Sequence, residues 1–133
     1  MKCLSIKQPW ATLIATNQKK IETRSWKTNY RGEIYIHASK TWDQTLKEKE
    51  PYRNWIKGIS IPTGMIIAKA QLVDCVPMTP DFIEKVRQNP IEYAAGDYQE
   101  GRYGWILEDI EPLKNPIPAK GMLTIWNYES NEN

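Results

Sequence analysis

Ile6-Lys7-Gln8-Pro9-Trp10-Ala11-Thr12-Leu13-Ile14-Ala15-Thr16-Asn17-Gln18-Lys19-Lys20-Ile21-Glu22-Thr23-Arg24-Ser25-Trp26 is the stretch on which the fold turns. Just before and within it, Leu4 and Ile6 alternate with Ser5 and Lys7, the pattern of a half-buried strand over Lys2 to Lys7. Pro9 fits the first position of a helix, where its missing N–H is one that no helical bond would use. Trp10, Leu13 and Ile14 fall at spacings of three and four, which predicts a buried stripe on a helix ending near Asn17. Trp10 reads more readily as a core aromatic than as a ligand contact. Asn17 to Lys20 is a polar turn in which Asn17 tolerates a left-handed backbone. Alternation returns from Ile21 to Trp26 and predicts a second strand, with Glu22, Arg24 and Trp26 on one face. Residues two apart on a strand lie roughly 7 Å from each other on the same side. Lys19, in the preceding turn, reaches the same region, so two cations and one carboxylate are expected to converge beside the start of the helix. Such a cluster suits an anionic or amide-bearing ligand, although an ordinary strand with a solvated face also carries a Glu and an Arg.

The chain's 133 residues are enough for one core and too few for two ordinary domains, so a single domain over 1–133 is expected, with 130–133 frayed. The net charge is only +2, but its distribution is uneven: residues 1–40 hold eight basic and two acidic side chains, and the remainder ten and fourteen. A field focused at one end steers anions there, whereas a merely lopsided surface shows the same numbers. Cys3 and Cys75 are far apart and His37 is the single histidine, so zinc ligands and a disulfide framework are lacking. Both cysteines read as reduced strand residues, and no metal or cofactor is expected. With no signal-like or membrane-length apolar run, a cytoplasmic protein, monomeric and free of membranes, is the default expectation.

Further along, Ile34, Ile36 and Ala38 face one way and Glu33, Tyr35 and His37 the other. A lone strand histidine is usually a hydrogen-bonded structural residue, so His37 ranks second among site candidates. Trp42 to Lys57 reads as helix broken at Pro51. Met65 to Val73 reads as a strand burying Ile66, Ala68, Ala70 and Leu72. Thr79-Pro80-Asp81 combines an N-cap, a first-turn proline and a dipole-favoured carboxylate. Gly96 to Arg102 is a loop that either closes a turn or lips a cleft. Tyr103 to Leu107 predicts a strand, Lys114 to Pro118 an irregular edge, and Met122 to Tyr128 a final strand. Short strands with interspersed helices describe an α+β protein whose mixed sheet curls toward a barrel.

Lys19, Glu22 and Arg24 meet the pattern G-x-K-x-x-E-x-R, with Asn17 where glycine usually stands, and asparagine also accepts a positive φ. With Gln8-Pro9-Trp10-Ala11, Arg24-Ser25-Trp26, Tyr30-Arg31-Gly32, the Gly96 to Arg102 segment, Trp105, Pro118-Ala119-Lys120-Gly121 and Trp126, they resemble the ASCH domain family over nearly the whole chain. The resemblance is to the cointegrator-like branch and its small bacterial and phage relatives. It implies an α+β, PUA-like mixed β-barrel with flanking helices, and a cleft between the first helix and the barrel lined by Lys19, Glu22 and Arg24. It also implies a nucleic-acid partner, RNA before DNA, single-stranded or structured. Lys7, Lys19, Lys27, Arg31 and Lys120 are then expected at phosphates, and Trp10, Trp26 or Trp105 at an unpaired base. Gln8, Glu22, Ser25 and Arg102 complete the expected interface, with His37 and Asp97 behind them.

Two other activities follow from the same resemblance. Some small ASCH proteins are amidohydrolases of acetylated cytidine or ribonucleases; here Glu22 would serve as general base, with Lys19 and Arg24 stabilising an oxyanion. Glu22 stands at the position matched to the threonine of the amidohydrolase branch, which opposes the same covalent mechanism here. A module that binds a modified nucleoside alone is the third reading.

Overall fold

Ile34, Ile36 and Ala38 on one strand and Ile66, Ala68, Ala70 and Leu72 on the next are at most 1% exposed, and these two strands form the middle of the sheet. Each of the larger side chains contributes about 1.5–3 kcal/mol by leaving water. The structure, a computed structural model, describes residues 1–42 and 44–129. In chain order it contains β1 (Lys2–Gln8), α1 (Trp10–Ala15), β2 (Ile21–Arg24), β3 (Gly32–Trp42), a 3-10 turn (Gln44–Glu48), α2 (Tyr52–Ile56), β4 (Met65–Pro77), α3 (Pro80–Arg87), α4 (Pro90–Ala94), β5 (Tyr103–Pro118) and β6 (Ile125–Asn127).

The strands form one six-stranded sheet in the order β2-β5-β4-β3-β1-β6, with β1 and β3 parallel and every other pair antiparallel. A six-residue helix is marginal by itself. α1 is held instead by burial: Ala11 to Ala15 are all covered, and the helix packs on β1, β3, β4 and β5. It is a plug in the concave side of the sheet, broader in its burial than the expected stripe, and only Trp10 reaches the surface in part. The curl is strong enough that Arg24, on β2, donates from Nη2 to the Ser5 carbonyl of β1 at 2.9 Å, four strands away in the order. Among the described residues β2 and β6 do not pair with each other, so the sheet is barrel-like and stays open.

Several expected boundaries move. β2 stops at Arg24, so Trp26 lies beyond the strand face it was expected to share. Trp42 ends β3 instead of starting a helix, and the helix expected from 42 to 57 is a 3-10 turn and the short α2, separated before Pro51. Asp43 and residues 130–133 lie outside the described residues. β5 continues through Pro118, so the stretch from Lys114 to Pro118, expected to be irregular, is strand. After Ile106 it no longer pairs with β2, and an edge strand has a free side on which a missing N–H breaks no ladder. The final strand shrinks to Ile125–Asn127, leaving 119–124 as an irregular strap. The local signals that rest on backbone chemistry hold: Thr79 Oγ1 accepts from the Phe82 N–H at 3.1 Å, and Asn17 has φ 64°.

Candidate functional site

An open cleft of about 1220 Å³ lies along the mouth of the curled sheet. β1 contributes Ser5, Ile6 and Lys7, the start of α1 Trp10, and β2 Glu22, Thr23 and Arg24. The end of β3 adds His37, Ser39, Lys40 and Thr41, while α2 adds Tyr52. Ala95 to Asp97 form one lip, so the glycine-rich loop does border a cleft, and Pro118 to Thr124 form the other.

Glu22 and Arg24 are two apart on β2 and close on each other. Arg24 Nε and Nη2 reach Glu22 Oε2 at 2.9 and 2.8 Å, and Nη2 also holds the Ser5 carbonyl. The guanidinium is therefore fixed between two strands, by charge-assisted hydrogen bonds that are shorter and stronger than neutral ones. Glu22 is 7% exposed, and its Oε1 has no hydrogen-bond partner among the described residues. Trp10 donates its indole N–H to Tyr52 Oη at 3.0 Å, edge to face, which fixes both rings at one end of the cleft.

His37 sits beneath the strap. Its Nε2 lies 2.7 Å from the Ala119 carbonyl, which only accepts, so Nε2 carries the proton. Nδ1 then accepts from the Ser5 hydroxyl at 3.0 Å, and Ser5 Oγ accepts from the Trp126 indole at 3.0 Å. Gly121 packs so tightly over this chain that a Cβ there would meet Ser5 Oγ and His37 Cε1 at 2.6 Å. The histidine is thus a hydrogen-bonded anchor that also lines the cleft.

Lys19 is the main correction. It is 1% exposed and does not line the cleft; its ammonium donates to the Ile21 carbonyl and lies 3.9 Å from Glu92 on α4. Burial pushes the Lys19 pKa down, and Glu22 and Glu92 only partly offset it. Burial likewise pushes Glu92 up, against the pull of Lys19 and of the Lys20 and Ile21 N–H groups that its carboxylate accepts. The pair pins the start of β2 to α4 and so sets the strand that carries Glu22 and Arg24.

Other expected contacts also lie elsewhere. Trp105 is fully buried and packs edge to face on Trp26, whose carbonyl accepts its indole N–H at 3.2 Å, so neither ring is on the cleft wall. Arg31 pairs with Asp74 at 3.6 Å, and Ser25 and Lys27 are exposed away from the cleft. Gln8 is buried, bonding Thr12 and the Pro62 carbonyl. Arg102 braces the lip through the Asp97 carbonyl at 2.9 Å, while Asp97 itself borders the cleft. Lys7 and Lys120 line the cleft, and Lys40 joins them; among the described residues none of the three is in an ion pair. The sequence reading missed Lys40, Tyr52 and Glu92. The polar run Ser39-Lys40-Thr41 closing an apolar strand is a signal for the first; Glu92, in a five-residue helix, carries none.

No group of three or more His, Cys, Asp or Glu side chains placed to hold a metal occurs among the described residues, and no described helix is long and apolar enough to cross a membrane.

Residues 4–117 match the model of the ASCH domain. The chain is 27% identical to human (Homo sapiens) activating signal cointegrator 1 and 26% identical to that of the mouse (Mus musculus), each over 96% of this chain. It spans only 22% of the length of these relatives. Among solved structures, ASCH from Zymomonas mobilis superposes with a TM-score of 0.57 over 87% of this chain and 71% of the other, at 19% identity. A tyrosine-to-phenylalanine mutant of that bacterial protein superposes with a TM-score of 0.55, covering 87% and 73%, again at 19% identity. At that identity the likeness carries the fold alone, an open mixed sheet of the PUA-like kind. With its matched model running from β1 to the end of β5, the chain belongs to the ASCH domain family.

Proposed function

We propose that the cleft binds nucleic acid, RNA in preference to DNA, by holding phosphates on its rim and an unpaired base inside. The observation that carries this reading is the placement of Lys7, Lys40 and Lys120, all free of ion pairs among the described residues, around a cavity that also holds the Glu22–Arg24 fork and the Trp10–Tyr52 pair. Lysines free of internal partners release counterions when they meet phosphates, which supplies affinity without sequence preference. An aromatic wall adds about 1–3 kcal/mol per base contacted. Glu22 Oε1 is an acceptor available to a base N–H, and Arg24 keeps the carboxylate oriented toward it. A ligand pocket for a small molecule is typically about 300–1000 Å³, so the cleft has room for a nucleotide with part of its neighbour.

Hydrolysis with Glu22 as base has weaker support, because Glu22 Oε2 accepts from Arg24 Nε and is ion-paired with Nη2, and Lys19 points into the interior. A fluorescence titration of single-stranded and hairpin RNA and DNA at several salt concentrations tests the reading. Salt-sensitive binding that weakens in Lys40→Ala and Lys120→Ala supports it. Undetectable binding at low salt, or variants that bind as well as the parent, overturns it. Turnover of acetylcytidine or RNA above a Glu22→Gln control would replace it with the hydrolase.

A further inference from the structure

Met122 and Leu123 are the most exposed large apolar side chains among the described residues, at 63% and 90%; the next, Val73, is at 41%. They are adjacent, they form the tip of the strap that borders the cleft, and Lys120 lies at its root. The tip is not a loose end. On one side the Ala119 carbonyl is held by His37 and Gly121 is wedged against His37 and Ser5. On the other, Ile125 pairs with Leu4 in the sheet. Thr124 between them takes φ 57°, a left-handed backbone that a β-branched residue rarely adopts, at a bend it shares with the exposed Leu123.

We propose that Met122 and Leu123 are an apolar wedge that enters the base stack of a double-helical nucleic acid and directs the displaced base into the cleft. The proposal rests on the nucleic-acid reading of that cleft and adds the form of substrate it takes. Three observations carry it. An adjacent pair of exposed aliphatic side chains stands on the rim of a cleft whose lysines, Lys7, Lys40 and Lys120, carry the charge opposite to that of a duplex backbone. The cavity behind the tip has the volume for a nucleotide. The acceptor at Glu22 lies inside that cavity, where it can meet a base edge that pairing would otherwise occupy. Apolar side chains inserted between base steps unstack them, and an extruded base needs a receiving pocket. Here the wedge and the pocket share one strap.

The test uses 2-aminopurine, whose fluorescence is quenched by stacking, at the centre of a 12-base-pair RNA duplex, its DNA counterpart and the matching single strands. Two proteins are compared, the parent and Met122→Ser/Leu123→Ser; both sites are exposed, and thermal unfolding confirms that the double variant is folded. The expected result is a several-fold rise in emission when the parent saturates a duplex, with the rise lost and duplex affinity reduced by about tenfold in the double variant. A duplex bound without a rise, an equal rise in the double variant, or single strands bound with no duplex binding overturns the wedge and leaves the cleft reading standing. Failure of the parent to bind any of these nucleic acids overturns both. Co-sedimentation of the parent with anionic phospholipid vesicles, or self-association at micromolar concentration, either one abolished in the double variant, assigns the tip to a membrane or a second copy and also overturns the wedge.

Discussion

Replacing Glu92 by glutamine keeps an oxygen for the Lys20 N–H but removes the charge 3.9 Å from the buried Lys19 ammonium. Lys19 then keeps the Ile21 carbonyl and Glu22, the stronger of the two carboxylate influences on it, as its compensation. Breaking one half of a buried pair typically costs about 3–5 kcal/mol, because a charge is left without its partner. The cost has a ceiling, since Lys19 can shed its proton. Counting about 1.4 kcal/mol per pH unit below the ordinary lysine value of 10.5, that release costs about 5 kcal/mol at pH 7 and about 2 kcal/mol at pH 9. The sign follows from proton counts. Lys19 is depressed in the folded parent already, and losing the upward pull of Glu92 depresses it further. The unfolded chain's excess of bound protons is therefore larger for the variant, and its stability rises with pH toward 10.5 more steeply than the parent's. Glu92, raised in the folded parent, acts oppositely: its contribution is lost as pH climbs above 4.5, and glutamine lacks that loss. The gap between the two proteins should therefore narrow from pH 7 to pH 9. Urea unfolding followed by tryptophan fluorescence at pH 7, 8 and 9 measures it. A deficit under about 1 kcal/mol at pH 7, or one that stays constant to pH 9, would refute the reasoning.

Trp105→Ala should cost about 3–5 kcal/mol of stability, because a fully buried indole leaves a large cavity; Trp10→Ala should instead weaken nucleic-acid binding, and a comparison of melting with titration separates the two. Tyr98→Phe should be neutral or stabilising by about 1 kcal/mol in thermal melts, since the Tyr98 hydroxyl is buried with no hydrogen-bond partner among the described residues. Gly121→Ala should destabilise by about 1–3 kcal/mol, because the hydrogen-bonded Ser5 and His37 must move to admit the methyl group. Lys40→Ala and Lys120→Ala should each lower the slope of log affinity against log salt for single strands by about 0.7, read from titrations at four salt concentrations.

Much of the architecture was legible because it is written in local periods. Alternation at Ile34, Ile36 and Ala38, and at Ala68, Ala70 and Leu72, marks the face that packs into the main core, whereas Ile66, expected on that face, lies beyond a register shift and packs with Cys3 and Trp126 while Ile67 takes its place. The Thr79 cap and the left-handed Asn17 depend only on backbone groups within a few residues. The spacing of Glu22 and Arg24 likewise determined that they share a face and meet.

What sequence by itself could not determine is which charges stay in water. Lys19 and Lys40 are both lysines at the border of a strand. One turns inward because Glu92, far along the chain, waits on a helix packed beside β2, and the other lies on an open rim. Trp26 and Trp105 look like base-stacking candidates in the sequence, yet the pairing of β2 with β5 places Trp105 directly opposite Glu22 and buries it. The cleft itself exists only because the sheet curls until Arg24 reaches Ser5, and the strap at 119–124 becomes a lip because β6 is held against β1. Periodicity reports the side of its own element on which a residue lies; desolvation and charge pairing are set by whatever the rest of the chain brings to that side, and only the tertiary structure supplies it.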